Sequence, residues 1–537
     1  VSHVAILEAA DRTAINGKDV QQRAAGRFYT PRIIAARLAA TIGPLVRPGQ
    51  RLSVADPFGG DGRLVCWLLQ ELLSAGVGHV DATIWEQEAA AASIASGRIS
   101  AEASRLGLDV DIDVWTGDTF DRAAEGRERF DVVITNPPWE LLKPDHRELK
   151  TLPTHLRDSY VAELRAFDRR LASEFPTSQP SRRFAGWGTN LSRVGTEVAL
   201  RLTADGGVCG VVAPSSLLAD TTTAALRRWM LDEFALVDVT HWPAEARLFE
   251  NVDVPCLSFV AVRGAEHRHT RLARIGSDRT VEDEGDVELD KQWLSRRQYA
   301  VPVVHGPEGI RLLRKLDVHP TFAALEGRHQ AGLWAGRELD ETRRRDFTQP
   351  TGERPFVRSL HIGRLRRPAL PGDEFIDTSQ RRVQGTADNI RLVWRDISRP
   401  SQKRRIHATL LPGGPVTGNS VNVAYFRDGD LPRLLALLGF VSSMPFELQV
   451  RSLLMTNHVS LSAMRAGRLP PLDGPAAARG AAAPPRASLE GEPGAEARLE
   501  RAAAEAYGLD YETWGRIADT FQLDATERGT FDEAWRV

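Results

Sequence analysis

The sequence predicts an α/β fold: a doubly wound domain of seven strands, then a mixed α/β domain, then a small helical tail. Three observations carry this. From residue 1 to about 265, short apolar runs alternate with segments of helical period, the order needed by a parallel sheet covered by helices. From about 266 to 470 the alternation gives way to irregular strands and loops rich in arginine. Residues 471–495 are dominated by Pro, Ala and Gly and read as a flexible linker, leaving 496–537 as a helical segment with apolar faces at Ala502–Tyr507 and Tyr511–Phe521.

In the first domain the expected strands are Leu52–Ala55, Ala82–Glu86, Val110–Trp115, Val132–Thr135, Val208–Ala213, Leu236–His241 and Cys256–Val262. Between them helical patterns fall at Pro31–Ile42, Leu64–Ser74, Glu88–Leu106, Arg193–Thr203 and Thr222–Glu233. Lys143–Gly188 is charged and carries aromatics, and long connections of this kind in compact domains are often functional. It reads as a loop placed to act as a lid. No internal repeat is visible.

A chain of 537 residues is long for one domain, and 42% hydrophobic with 26% charged residues allows large cores. A net charge of −2 excludes a global nucleic-acid signature, so any anion-binding surface must be local. Cys66, Cys209 and Cys256 lie far apart among apolar residues and read as reduced, buried thiols, not as a zinc set. No metal is expected. No apolar run is long enough to span a membrane, and Asp11, Arg12 and Lys18 break the pattern of a secretion signal, so a cytoplasmic location is expected.

The residues with chemistry stand at strand ends. Phe130–Thr135 runs into Asn136-Pro137-Pro138-Trp139. A strand can deliver the Asn amide to a sheet edge, and the prolines fix the turn without adding N–H donors. An amide oxygen and a proline carbonyl can both accept from one exocyclic NH2, while the indole stacks on the ring that carries it. Asp56-Pro57-Phe58-Gly59-Gly60-Asp61-Gly62 links the first strand to a helix, where glycines permit a tight turn and close approach of a ligand. Glu86 ends the second strand, where it could accept from a ribose diol, and Asp118 follows the third, where it could accept from an adenine amino group. The spacing from Asp56 to Glu86 exceeds that of dinucleotide folds, and no Walker lysine follows the glycines.

With these motifs in this order the chain resembles the S-adenosylmethionine-dependent DNA adenine-N6 methyltransferases, in the gamma (Taq-like) order found in restriction–modification systems and related antiphage defence. The resemblance begins at Phe28-Tyr29-Thr30-Pro31 and runs through Asp56–Gly62, Glu86, Asp118 and Asn136–Trp139 to Asp205–Ser215 and Leu248-Phe249-Glu250-Asn251-Val252. It implies a Rossmann-like methyltransferase domain over 1–265 and a target-recognition domain over 266–470. It implies that S-adenosyl-L-methionine is held by Tyr29, Thr30, Pro31, Asp56, Pro57, Gly59, Gly60, Gly62, Glu86, Asp118 and Asn136. Asn136, Pro137, Pro138 and Trp139 would grip an adenine swung out of the duplex. Phe249 and Phe259 are candidates for a second aromatic facing that base. One departure is Asn190-Leu191-Ser192, where relatives carry Asp-Leu-Tyr.

Between Arg337 and Arg405 there are 17 Lys and Arg against 10 Asp and Glu, interleaved with Phe356, His361, Phe375 and Trp394. That excess of seven predicts phosphate contact and double-stranded DNA as the partner, with Arg364, Arg366, Arg367, Trp394, Arg395, Lys403, Arg404 and Arg405 as candidates. Within it, Leu392–Ser398 and Gln402–Arg405, and beyond it Thr417–Ser420, resemble the family's recognition region. The resemblance also implies a separate restriction nuclease or other defence subunits as partners. Two alternatives remain open: an RNA or protein amino-methyltransferase, and a DNA-binding subunit that has lost catalysis. Only 28 residues precede Tyr29 and the Glu148–Lys150 triplet reads as chance, so methylation without cleavage is expected.

Overall fold

The computed structural model describes residues 29–536 apart from 50, 145–148, 150–152, 182, 184–185, 250–253, 267–268, 341–347, 378–384, 400–401, 455–456 and 474–482. Phe28, Glu250–Val252, Glu148 and Lys150 lie outside the described residues, as do residues 474–482 of the expected linker. The chain divides into two compact units at Pro307 and Glu308.

The first unit is built on a nine-stranded sheet in the order β3-β2-β1-β4-β5-β7-β6-β8-β9. Its strands are β1 (Arg51–Asp56), β2 (His79–Glu86), β3 (Asp109–Thr116), β4 (Phe130–Thr135), β5 (Thr203–Pro214), β6 (Phe234–Trp242), β7 (Cys256–Arg263), β8 (Thr270–Ile275) and β9 (Val281–Val287). The pairs β1–β2, β2–β3, β1–β4 and β4–β5 are parallel, and β7 runs antiparallel between β5 and β6. This is the expected Rossmann-like fold. Central strands are apolar on both faces because helices cover both: Val132, Val133 and Ile134 of β4 are all fully buried. The helices are α1 (Arg32–Ile42), α2 (Arg63–Ser74), α3 (Ala89–Leu106), α4 (Thr119–Ala124), α5 (Thr154–Glu174), α6 (Leu191–Leu202) and α7 (Ala224–Glu233). In α1, Ile34, Ala35, Leu38, Ala39 and Ile42 form the buried stripe, a helical period that the sequence displays openly.

Two features differ from expectation. The sheet continues past residue 265, because β8 pairs with β6 and β9 with β8. Arginines in β8 disguise it: Arg271 lies opposite Asp238 of β6, and its Nε donates to Asp238 Oδ2 at 2.6 Å. The expected lid segment contains a docked helix of 21 residues, α5, not a loop. Its buried positions Tyr160, Leu164, Asp168 and Leu171 form one stripe in an otherwise charged sequence. Asp168 is anchored by Thr189 N at 3.1 Å and by Arg183 at 2.5 Å.

Both sheet edges are acidic. Asp109, Asp111 and Asp113 alternate along β3, and Glu282, Asp283, Glu284 and Asp286 line β9, charges that discourage edge-to-edge pairing. His79, Asp81 and Asp111 gather at the amino ends of β2 and β3, where Arg51 supplies countercharge at 2.5 Å from Asp81 and 3.1 Å from Asp111.

In the second unit, β10 (Leu333–Gly336), β11 (Thr348–Gln349), β12 (Phe356–Val357), β13 (Phe375–Ile376), β14 (Arg391–Arg395), β15 (Ala408–Leu411), β16 (Val416–Thr417) and β17 (Val421–Phe426) form one four-stranded sheet, β10-β17-β14-β15, and two short pairs. Helices follow: α8 (Leu431–Val441), α9 (Met444–Arg451), α10 (Ala483–Leu489), α11 (Ala495–Ala506), α12 (Tyr511–Asp519) and α13 (Ala525–Arg536). Helix α10 falls inside the stretch expected to be linker, and α11 to α13 belong to this unit. Among the described residues no single helix is long and apolar enough to cross a membrane. Cys66, Cys209 and Cys256 are buried free thiols.

Candidate active site at the carboxyl ends of the strands

In an open α/β sheet the strand order reverses at one point, and the crevice beyond the strand ends there is where ligands bind. Here that point lies between β1 and β4. The turn after β1 and the Asn136 turn after β4 are therefore neighbours.

Asp56, at the end of β1, is 1% exposed. Its Oδ1 accepts from Phe58 N at 3.1 Å and from Thr135 Oγ1 at 2.7 Å, tying β1 to β4. Burial pushes its carboxyl up to about 7 despite those two donors. Pro57 O accepts from Thr119 Oγ1 at 2.6 Å, which brings in the start of α4. Gly59 must be glycine for packing, since a Cβ there would lie 2.3 Å from Ile84. Gly60 adopts φ +53°, and its N–H donates to Glu86 Oε2 at 2.9 Å. Gly62, at φ +78°, starts α2 hard against Ala95. Glu86 also accepts from Glu88 N at 2.9 Å, so two amides fix its carboxylate. Asp118 caps α4 through Phe120 N at 2.9 Å, and Arg170 of α5 pairs with its other oxygen at 3.2 Å.

The entry segment closes this ring. Thr30 is buried, and its hydroxyl accepts from Asn136 Nδ2 at 3.1 Å. Tyr29 is 40% exposed, with its ring facing Gly60 and the Arg63 guanidinium 4.7 Å from its centroid. Arg63 also reaches Thr30 O at 3.4 Å and pairs with Asp61 at 2.7 Å. Burial works to raise the Asp61 carboxyl, but Arg63 and Arg98 prevail and hold it below its ordinary value. Pro31 stands at the N-cap of α1.

Beyond Asn136, Pro137 is buried while Pro138 and Trp139 are half-buried. The Trp139 ring meets Phe249 edge-on at 4.9 Å, whereas Phe259 is fully buried in β7. Phe249 is buried as well, at 7% exposure, with its ring packed on Trp139. Leu142 N donates to Thr189 O at 3.0 Å and Leu191 N to Glu140 O at 2.8 Å, so the chain after Trp139 pairs with the start of α6. Asn190, the departure noted in the sequence, caps α6 by accepting from Ser192 N at 3.0 Å.

Sequence reasoning missed Arg63, Thr135, Arg170 and Gly195. Gly195 sits inside α6, where a Cβ would lie 2.3 Å from Pro137 and 3.0 Å from Phe58. Glycine inside a helix costs about 1 kcal/mol relative to alanine, and that oddity is the signal that could have found it.

The basic segment overturns several expectations. Trp394 is 0% exposed and donates from Nε1 to Val459 O at 3.3 Å, so it is a core residue. Arg404 lies between Glu447 at 2.9 Å and Glu500 at 3.0 Å, both fully buried. Arg364 pairs with Glu496 and donates to Ser442 O at 2.7 Å. Arg405 is buried and donates to Ser398 O at 3.0 Å. Arg395 is half-buried on Ile362 O at 2.5 Å, and Lys403 is paired with Asp524 and Glu527. The buried ones among these hold the unit together because unpaired charge is too costly to bury, whereas Lys403 is exposed and its pairs with Asp524 and Glu527 lie at the surface. Arg366 and Arg367 are exposed. Between them and Arg364, buried Leu365 adopts φ +50°, a turn that sends Arg364 inward and the next two residues outward.

Residues 17–159 match a family profile described as N-6 DNA Methylase. Comparison with curated proteins returns no match. Among solved structures, the chain is similar to the Type IIL restriction-modification enzyme MmeI in complex with DNA, at 11% identity and a TM-score of 0.53, covering 100% of this chain and 79% of that one. It is similar also to a nuclease-deletion mutant of the Type ISP restriction-modification enzyme LlaGI in complex with a DNA substrate mimic, at 11% identity and a TM-score of 0.53, covering 87% of this chain and 47% of that one. A DrdV–DNA complex gives 10% identity, a TM-score of 0.51 and coverage of 84% and 57%. The chain thus spans about half the length of two of these proteins. At such identities the likeness is one of fold.

Proposed function

We propose that the chain is a site-specific DNA methyltransferase that moves a methyl group from S-adenosyl-L-methionine to the N6 amino group of adenine in duplex DNA. In this reading it is the gamma-order modification component of a restriction–modification or related defence system, working in the cytoplasm. The first unit is its catalytic domain and the second its target-recognition domain. The single observation that carries the reading is the Asn136 amide, held by Thr30 at the point where strand order reverses, beside a half-buried indole.

The residues at the strand ends fit the cofactor. Glu86 is a fixed acceptor suited to a hydroxyl pair, Asp118 suits an amino group, and Gly59, Gly60 and Gly62 carry no side chain to obstruct approach, while Asp61 between them is engaged by Arg63 and Arg98. When bound, S-adenosylmethionine supplies a methyl group on a positively charged sulfur. Adenine inside a duplex cannot reach this crevice, so it must leave the stack, at a cost of a few kcal/mol. Stacking on Trp139, with Phe249 bracing the indole, returns roughly 1–3 kcal/mol. Because Asn136 Nδ2 is directed at Thr30, Oδ1 is the end that accepts from the substrate amino group. The Pro137 carbonyl is the second acceptor. Together they draw the nitrogen lone pair out of conjugation and aim it, so orientation and fixed dipoles, not a strong base, carry the rate.

The test is tritium transfer from labelled cofactor to duplex DNA of random sequence, to RNA and to protein, with Asn136→Ala as control. Label in DNA that is lost in the variant supports the reading. Label confined to RNA or protein, or wild type as inert as the variant, overturns it.

A further inference from the structure

Asp56, Glu86 and Asp118 stand at or just past the ends of β1, β2 and β3, yet only Asp118 is paired with a cation among the described residues. That cation arrives from 52 positions downstream: Arg170, near the end of α5, whose Nη2 donates to Asp118 Oδ2 at 3.2 Å. The other oxygen, Oδ1, accepts from Phe120 N at 2.9 Å. A carboxylate has about four acceptor positions over its two oxygens. Oδ2 can therefore hold Arg170 and still take one more donor.

The guanidinium is itself fixed. It lies over the Phe167 ring at 5.0 Å, and Nη1 pairs with Asp121. Phe167 of α5 and Phe175 just after it both meet Phe120 edge-on, at 6.3 and 6.1 Å. On the chain side, both neighbours of Asp118 are tied to the other strand ends. Gly117 N donates to Glu86 O at 3.1 Å and Thr119 Oγ1 to Pro57 O at 2.6 Å. The strands thus place the Asp118 backbone, and α5 sets the direction of its carboxylate.

We propose that Arg170 is a positioning residue that aims Asp118 at the purine amino group of the cofactor, so that α5 sets the choice of adenine over a purine with oxygen in that place. The inference rests on the methyltransferase reading and gives the segment after Trp139 a task at the far end of the crevice. Its argument is electrostatic. Asp118, Asp121 and Glu174 surround one guanidinium, with Glu174 at 4.0 Å from it. Burial raises the Glu174 carboxyl, Arg170 works against that, and Asp121 and Asp118 add to it. Without Arg170 these like charges repel, and Asp118, held by one oxygen alone, turns away from the site. An ionised carboxylate only accepts. It receives an amino group and repels a carbonyl oxygen, a choice that lasts while it is charged and correctly aimed. Arg170 is 33% exposed and Asp118 30%, so the pair adds little to stability and its worth lies in orientation.

The experiment is calorimetric titration of the full chain with S-adenosylhomocysteine and with S-inosylhomocysteine, which carries oxygen in place of the purine amino group. Wild type should prefer the adenosyl compound by roughly 10–100-fold, the worth of one hydrogen bond to a charged acceptor. Arg170→Met keeps the packing on Phe167 but cannot donate, and its preference should fall by about fivefold or more, through weaker adenosyl binding. Arg170→Lys should keep most of the preference, and Asp118→Asn marks its complete loss. In turnover, the Met variant should raise KM for S-adenosylmethionine by about fivefold and leave kcat within about twofold. Equal weakening towards both compounds, or an unchanged preference, overturns the positioning role and leaves the methyltransferase reading standing. A fall in kcat at constant KM also overturns it, moving Arg170 to the reaction centre. Wild type that binds neither compound overturns both. The preference is a ratio taken on one preparation, so a loss of folded protein does not move it. Arg170→Gln, uncharged and closer in shape, supplies the same ratio if the Met variant does not fold.

Discussion

The strand ends of the first unit and the basic segment of the second use charge in opposite ways. At the strand ends, Asp56 and Glu86 are met by backbone amides and a hydroxyl, with no cation paired to either among the described residues. In the second unit, Arg404, Arg364 and Arg451 are cancelled by Glu447, Glu496 and Glu500. A local excess of arginine is therefore not a positive surface. In the proposed function, the difference separates groups kept for a ligand from groups consumed by the fold.

The hardest blow to that comparison would come from Glu447. Burial works to raise its carboxyl, but Arg404 and Arg451 bring it down to about 2. Glu447→Ala should destabilise the second unit by about 3–5 kcal/mol, since it leaves buried guanidiniums unpaired. Chemical denaturation checks this, and a loss below about 1 kcal/mol would mean the pairs are ornamental. Next, Asn136→Ala should cut single-turnover methyl transfer by roughly 10²–10³, the cost typical of removing one oriented polar group from a reaction centre. Normal melting of that variant would confine its loss to the chemistry.

Gly195→Ala should cost about 1–3 kcal/mol through overpacking against Pro137 and Phe58. Because it displaces the turn that carries Asn136, turnover should fall with it. Assays of Tm and rate on one preparation would reveal any uncoupling. Arg366→Gln/Arg367→Gln should leave stability within about 0.5 kcal/mol and lower the salt slope of DNA binding by about 2. A folding defect there would erase the line between inward and outward arginines.

The mildest effect concerns Asp56. Its folded carboxyl titrates near 7, above the ordinary carboxylate range, so the folded state holds a proton that the unfolded chain has released. Stability from this group is complete at low pH and is lost as pH rises through about 7. Asp56→Asn should flatten the dependence of Tm between pH 5 and 8.

Much of the first unit could be read directly, and the reasons are local. Strands such as Val132–Thr135 are continuous apolar runs because both their faces are covered, and Asn136–Trp139 is contiguous in sequence. What stayed hidden depends on distant partners. Arg271 looks like a loop residue until Asp238 stands beside it 33 positions away in the chain. Arg404 looks like a DNA contact until Glu447 and Glu500 arrive from 43 and 96 positions downstream. Helix α5 hides its apolar stripe among charges, and Asp168 takes part in the burial.

The reach of Glu496 and Glu500 back to Arg364 and Arg404 bears on how such proteins could be re-targeted. Swapping only the stretch around 337–405 into another scaffold would strand its guanidiniums without counter-ions. Any exchangeable piece is longer than that stretch: it must travel with the last helices, whose carboxylates are the counter-ions of its buried guanidiniums.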